Sequence, residues 1–145
     1  WTAQGQSDGI LVVDRNGNGT VDGGAEMAGK YLPDGSRAEV AFDELRAWDQ
    51  PANGGNGDGW ISRLDGIAPS LRVWVDINHD GVSQHGELLT LGEARVTRIF
   101  FDYAETRRRD QHGNLFRYRS RVGMLNPAGR ERFDTIYDVF FYRAD

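Results

Sequence analysis

Asp76-Ile77-Asn78-His79-Asp80-Gly81-Val82-Ser83-Gln84-His85-Gly86-Glu87 is the stretch from which the rest of the chain is read. Counted from Asp76 as position 1, side-chain oxygens fall at positions 1, 3 and 5, glycine at 6 and glutamate at 12. This is the ligand spacing of an EF-hand calcium loop. Alternate residues turn oxygens inward, and the glycine permits the sharp bend. A main-chain carbonyl contributes at position 7, and a long carboxylate closes the cage. The expected ligands are Asp76, Asn78, Asp80, the Val82 carbonyl and Glu87. Asn-x-Asp-Gly is also ordinary surface-turn chemistry, but variants of the stretch occur at two further places in the chain.

The first variant runs Asp14-Arg15-Asn16-Gly17-Asn18-Gly19-Thr20-Val21-Asp22-Gly23-Gly24-Ala25-Glu26. Asp14, Asn16, Asn18 and Asp22 take positions 1, 3, 5 and 9, Gly19 takes 6, and Thr20 offers its carbonyl at 7. The closing carboxylate, Glu26, arrives one residue late, and the Gly23-Gly24 pair can absorb the extra residue. In the second variant Asn56, Asp58, Gly59, Trp60 and Asp65 take positions 3, 5, 6, 7 and 12. Position 1 would be Gly54, which has no side-chain oxygen, so Asp49 is the expected substitute and Asn53 its rival. Position 8 is apolar in these two loops (Val21, Ile61) and Ser83 in the other. Loops 1 and 2 are therefore expected to pair, with loop 3 standing apart.

Composition narrows the classes. The 145 residues suffice for one domain with a real core, and the 39% hydrophobic content argues against disorder. No apolar run reaches membrane-spanning length, so no membrane span is expected. Cysteine is absent, which removes disulfides and thiolate metal sites. His79, His85 and His112 are too scattered for a zinc cluster. The chain opens on Trp1, without a signal peptide, and reads as a module of a longer protein. The net charge of −5 is unevenly spread: residues 1–92 carry fourteen Asp/Glu against six Lys/Arg, and residues 93–145 carry eight against eleven. The acidic part holds the loops, so bound cations should stabilise it.

Periodicity supplies the rest. Gly9–Val13 and Leu71–Val75 read as strands leading into loops 1 and 3. Residues 36–48 read as a helix, capped by Ser36 with Glu39, and loop 2 follows it. Thr90 and Glu93 form a second capping box for a short helix. Residues 96–103 and 115–122 read as a hairpin about the turn at 110–114, with 137–142 as a third strand. The expected fold is α+β, with EF-hand-like calcium loops flanked by short strands and helices, plus a small C-terminal antiparallel sheet. It forms a single calcium-binding module over residues 1–145, with an acidic calcium-loop lobe at 1–92 and the sheet at 93–145. Arg117, Arg119 and Arg121 share one strand face. In an acidic chain they read as a solvated sheet face, and nucleic acid is not an expected partner.

Two segments resemble a known type of bacterial secreted module. Asp8-Gly9-Ile10-Leu11-Val12-Val13-Asp14-Arg15-Asn16-Gly17-Asn18-Gly19 is similar to its first loop. Leu71-Arg72-Val73-Trp74, followed by Asp76-x-Asn78-x-Asp80-Gly81 and Gly86-Glu87-Leu88, is similar to another. These are EF-hand-like calcium-binding modules of RTX-type and other repeat-rich exported proteins, and the resemblance covers about residues 8–103. It implies calcium binding in a secreted or cell-surface protein. Some relatives are self-processing modules that, loaded with calcium, cleave an Asp-Pro bond preceding them, which here would lie in an N-terminal extension. The four prolines here follow Leu32, Gln50, Ala68 and Asn126, so this chain contains no such bond.

The leading expectation is therefore a calcium-binding, calcium-stabilised, non-catalytic module holding about two to three ions. Its partners would be calcium and other domains of its parent protein. The alternatives are part of a calcium-dependent self-processing module and a calcium-dependent adhesion or docking module. Against docking through paired repeats, the three loops differ from one another in spacing and flanks. No Ser-His-Asp or Cys-His constellation and no phosphate-cradling glycine loop is present.

Overall fold

The computed structural model describes residues 9–140. Short β-branched and aromatic runs dominate the chain, and each is too brief to hold itself without a partner strand. They assemble into two antiparallel sheets. The smaller has the order β1 (Ile10–Val13), β3 (Leu71–Trp74), β4 (Leu88–Thr90). The larger runs β2 (Trp60–Ile61), β5 (Val96–Phe100), β7 (Leu115–Leu125), β6 (Ala104–Arg109), with β8 (Glu131–Phe140) on the other edge of β7. The single α-helix among the described residues is α1 (Ala41–Asp49).

This overturns the α+β expectation, since the molecule is mostly β and no loop has the helix–loop–helix setting of an EF-hand. The capping boxes misled for local reasons. Ser36 turns its hydroxyl back to Asp34 Oδ1 (2.6 Å), and α1 starts five residues later behind Val40. The N-terminus of α1 is served from β8 instead, where Asp138 Oδ2 accepts the Ala41 N–H at 2.8 Å. Thr90 and Glu93 do make their reciprocal bonds (3.0 and 3.1 Å). The chain then closes one turn and leaves it at Arg95 with φ of 60°, a left-handed residue that stops a helix.

The expected hairpin is also rearranged. The predicted strand ends at Phe100, three residues early, and pairs with the far part of β7, Val96↔Met124 to Ile99↔Val122. The arm nearer the turn is β6, which the sequence reading did not expect, paired from Ala104↔Arg119 to Arg109↔Leu115. β8 begins at Glu131, six residues before the expected third strand, and is paired with β7 from Leu125↔Glu131 to Leu115↔Phe140. Phe141 and Tyr142 of that expectation lie outside the described residues.

One core joins both sheets and the helix. Phe42 and Leu45 from α1 pack with Leu71 from the smaller sheet and with Ile61, Ile99 and Val122 from the larger. Phe42 stacks on Tyr103 with ring centroids 5.8 Å apart. The loops are thus carried on the rim of a packed body, anchored at their ends and exposed in the middle.

Candidate metal centres

The three loops differ in flanks and length, yet the structure gives them one backbone course. Position 6 is left-handed in each: Gly19 (φ 78°), Gly59 (96°) and Gly81 (74°). So is position 4, at Gly17 (72°), Gly57 (72°) and His79 (59°). A left-handed histidine is uncommon, and here it follows the course that glycine follows in the other two loops.

The hydrogen bonds repeat as well. The position-6 N–H donates to the first carboxylate in every loop: Gly19 to Asp14 (2.9 Å), Gly59 to Asp49 (3.1 Å) and Gly81 to Asp76 (2.9 Å). The position-9 N–H donates to the closing carboxylate: Asp22 to Glu26 (2.9 Å), Ser62 to Asp65 (2.8 Å) and Gln84 to Glu87 (3.0 Å). Between these ends, the side-chain oxygens at positions 3 and 5 accept the N–H groups at 5 and 7. Asn16 and Asn18 do so in loop 1, Asn56 and Asp58 in loop 2, and Asn78 and Asp80 in loop 3. The frame thus fastens the side chains of positions 1, 3 and 5 and of the closing residue to the loop's own amides. The carbonyls of Thr20, Trp60 and Val82 occupy position 7.

Two ambiguities in the ligand spacing disappear. Glu26, late by one residue, accepts the Arg15 N–H at 3.2 Å, as Glu87 accepts the Ile77 N–H at 3.0 Å. Asp49 rather than Asn53 faces loop 2: its carboxylate accepts from Gly57 and Gly59, whereas the Asn53 amide donates to the Ala47 carbonyl at 2.8 Å. Gly55 makes this possible. A Cβ on it would lie 2.1 Å from the Asp49 carbonyl carbon and oxygen, so no side chain fits there. Gly55→Ala should therefore detach loop 2 from Asp49 and cost about 2 kcal/mol of stability, read by chemical denaturation. A loss below about 0.5 kcal/mol would show that the loop does not depend on this approach.

The pairing of loops differs from expectation. Ile61 pairs with Ile99 of β5, not with loop 1. The Val21 N–H donates to Ser83 Oγ at 2.7 Å, so position 8 of loop 1 meets position 8 of loop 3. Loop 3 is the connection of the β3–β4 hairpin, closed at its base by the Val75 N–H on the Glu87 carbonyl at 2.9 Å. It clamps strands within the smaller sheet and does not reach across to the larger one.

The donor chemistry fits a hard cation. Each loop brings three carboxylates, two of them at its ends, with asparagines and one main-chain carbonyl, and no sulfur or imidazole in the frame. Among the described residues no three Asp, Glu, His or Cys side chains draw together into a tight ligand cluster. The end carboxylates are occupied by amide N–H groups, but a carboxylate oxygen has a second lone pair with which to bind an ion. In loop 1 the Asn16 and Asn18 amide nitrogens sit 2.7 Å from Asp22 Oδ2, and these contacts hold the Asp22 carboxyl below its ordinary range. In loop 3 the Val82 N–H, with Gln84 and Asn78, does the same for Asp80.

Gln84 and Ser62 at position 9 are frame residues that the ligand reading left out, although spacing alone identifies them. Glu44 had no local signal. It is fully buried in α1 and accepts from Arg15 Nη2 (2.8 Å), Trp48 Nε1 (3.3 Å) and the Gly29 N–H (2.5 Å), so position 2 of loop 1 is tied to the helix. No helix among the described residues is long and apolar enough to cross a membrane.

Comparison with known proteins places these loops in context. The family model described as SPM domain matches residues 1–141. The iron-regulated protein FrpA of Neisseria meningitidis serogroup C is 40% identical over 109 residues, which is 74% of this chain and 9% of that protein. The chain thus spans under a tenth of the length of this curated relative.

Proposed function

The chain belongs to the SPM domain family, and from that premise we propose that it is a calcium-binding, calcium-stabilised, non-catalytic module of a larger bacterial protein that works outside the cell. The observation that carries the proposal is the repeated frame. Three segments of different sequence spacing share the same left-handed positions, the same clasped carboxylates and the same turns at positions 3 and 5. A shared ion would give loops entered from a strand, from a helix and within a hairpin one reason for this common course. The residues that would hold it are Asp14, Asn16, Asn18, Asp22 and Glu26; Asp49, Asn56, Asp58 and Asp65; and Asp76, Asn78, Asp80 and Glu87, with the carbonyls of Thr20, Trp60 and Val82. Calcium would supply charge neutralisation and a cross-link between loop ends, with no chemical step.

The match to under a tenth of a much longer bacterial protein supports the reading as a module, and extracellular calcium is abundant enough to fill sites of modest affinity. Loop 3 gives the direct test. Asp76→Ala should lower stability by about 2.7 kcal/mol more in saturating calcium than in EGTA, the linkage contribution of one site at a hundredfold excess over its Kd. Equal losses in the two buffers would reduce Asp76 to a turn residue.

A further inference from the structure

The larger sheet has an outer face and an open edge that neither the core nor the loops use. Register places Arg119 and Arg121 of β7 on that face beside Tyr137 and Thr135 of β8. Arg98 and Arg108 join them from β5 and β6. Arg98 lies 5.0 Å from the Trp60 ring centroid, Arg121 lies 4.4 Å from that of Phe100, and Arg108 lies 5.0 Å from that of Phe116. Glu131 is already bound by both Nε and Nη2 of Arg98, at 2.7 and 2.9 Å, and Asp58 of loop 2 also lies near Arg98. Among the described residues, Arg108, Arg119 and Arg121 have no carboxylate partner. Among the described residues β8 pairs only with β7, so along Glu131–Phe140 every other residue turns its N–H and C=O to an open edge. Native edges are commonly blunted by proline, charged side chains or a bulge. β8 has no proline or lysine, its charges are Glu131, Arg132, Asp134 and Asp138, and the one irregularity in its pairing lies opposite Phe116 to Tyr118, toward its end.

We propose that this edge and face together are a docking surface for an extended acidic peptide segment, which adds to β8 as a further strand and directs its carboxylates toward Arg119 and Arg121. An added strand lies about 10 Å from β7, two strand spacings away. An extended glutamate and an extended arginine bridge that gap across Thr135, the smallest side chain of the outward row Glu131, Phe133, Thr135 and Tyr137. The chemistry selects the occupant. Guanidinium groups already cover the ring faces that would stack on a nucleobase or a sugar, leaving their N–H edges for carboxylates. A backbone edge is matched by another polypeptide backbone. A second copy joined β8 to β8 would set two basic faces side by side, which like charge opposes. The surface adjoins calcium loop 2 where Arg98 lies on the Trp60 ring, so the test is made in saturating calcium.

The test is fluorescence anisotropy of the full chain in saturating calcium with a dye-labelled decapeptide of alternating Glu and Thr. Lys-Thr and N-methylated Glu-Thr versions serve as comparisons. The acidic peptide should bind, the Lys-Thr peptide should not, and both N-methylation and the double variant Arg119→Glu/Arg121→Glu should weaken binding at least about tenfold. The N-methylated arm uses the unaltered chain, so it stands even if the variant folds poorly. Equal binding of the Lys-Thr peptide, or undiminished binding of the N-methylated one, would overturn the proposal. So would tighter binding of a labelled single-stranded oligonucleotide, or a dimer in sedimentation that the double variant dissolves and the peptide does not compete with.

Discussion

Excess EGTA should lower the melting temperature of this chain by about 15 °C relative to excess calcium. The expectation follows from mass action. A site with Kd near about 10⁻⁵ M in about millimolar calcium gains close to 2.7 kcal/mol. Two such sites supply about 5 kcal/mol, a large share of the stability of a domain this size, and each kcal/mol moves the melting temperature by about 3 °C. The structure gives reasons for strong coupling. The end carboxylates of the loops, Asp14, Glu26, Asp49, Asp65 and Glu87, are buried, so releasing an ion leaves negative charge in places water reaches poorly. Loops 1 and 3 touch through Val21 and Ser83, so loss of one ion should loosen the other. Differential scanning calorimetry at matched ionic strength reads the effect. Coincident melts in EGTA and calcium would remove calcium from the account of this fold.

The second large effect is at Arg15. Its guanidinium joins loop 1 to α1 through Glu44, a carboxylate with no exposure, while the arginine side chain keeps 28% of its own. Arg15→Met removes both the bond to Glu44 and that from Nε to the Ala25 carbonyl at 3.0 Å, leaving a buried charge held only by Trp48 and the Gly29 amide. Breaking a buried pair from one side costs about 3–5 kcal/mol, and the partial exposure of Arg15 places this case near about 3 kcal/mol. Adding Glu44→Gln should recover part of the loss, because the charge is gone and the amide still accepts from Trp48. The contrast is Arg132→Met at an ion pair whose side chains are 65% and 48% exposed, which should change stability by under about 0.5 kcal/mol. Urea titrations of the four chains in calcium decide it. Similar losses at Arg15 and Arg132 would show that burial of Glu44 does not govern the pair.

The ends of β8 and the starts of α1 and β6 show why sequence reading faltered where it did. Alternation marks a strand but says nothing about its partner, so the run at 96–103 looked like one arm of a hairpin. Only 96–100 of it pairs, with the far part of β7, and the arm beside the turn is β6, residues 104–109, which the reading had left out. Capping boxes report a hydrogen bond and not a helix; Thr90 and Glu93 form theirs around a single turn. Glu131 to Ile136 contain too little alternating apolar character to announce a strand, and register against β7 extends it there.

What the amino-acid order determined by itself was the loops. Each frame is built from side chains and amides within at most seventeen residues of one another, so spacing, glycine at position 6 and short polar side chains define it before any tertiary contact exists. The sequence also favoured Asp49 over Asn53 at position 1 of loop 2, and the close approach of Gly55 to the Asp49 backbone accommodates it. The tertiary structure alone decided that loop 1 meets loop 3, because β1 and β3 are neighbours in the smaller sheet, and that two antiparallel sheets, not a helical scaffold, carry all three. Those choices rest on pairings between residues tens of positions apart, whose free energy comes from shared burial in one core and is not encoded in any local stretch.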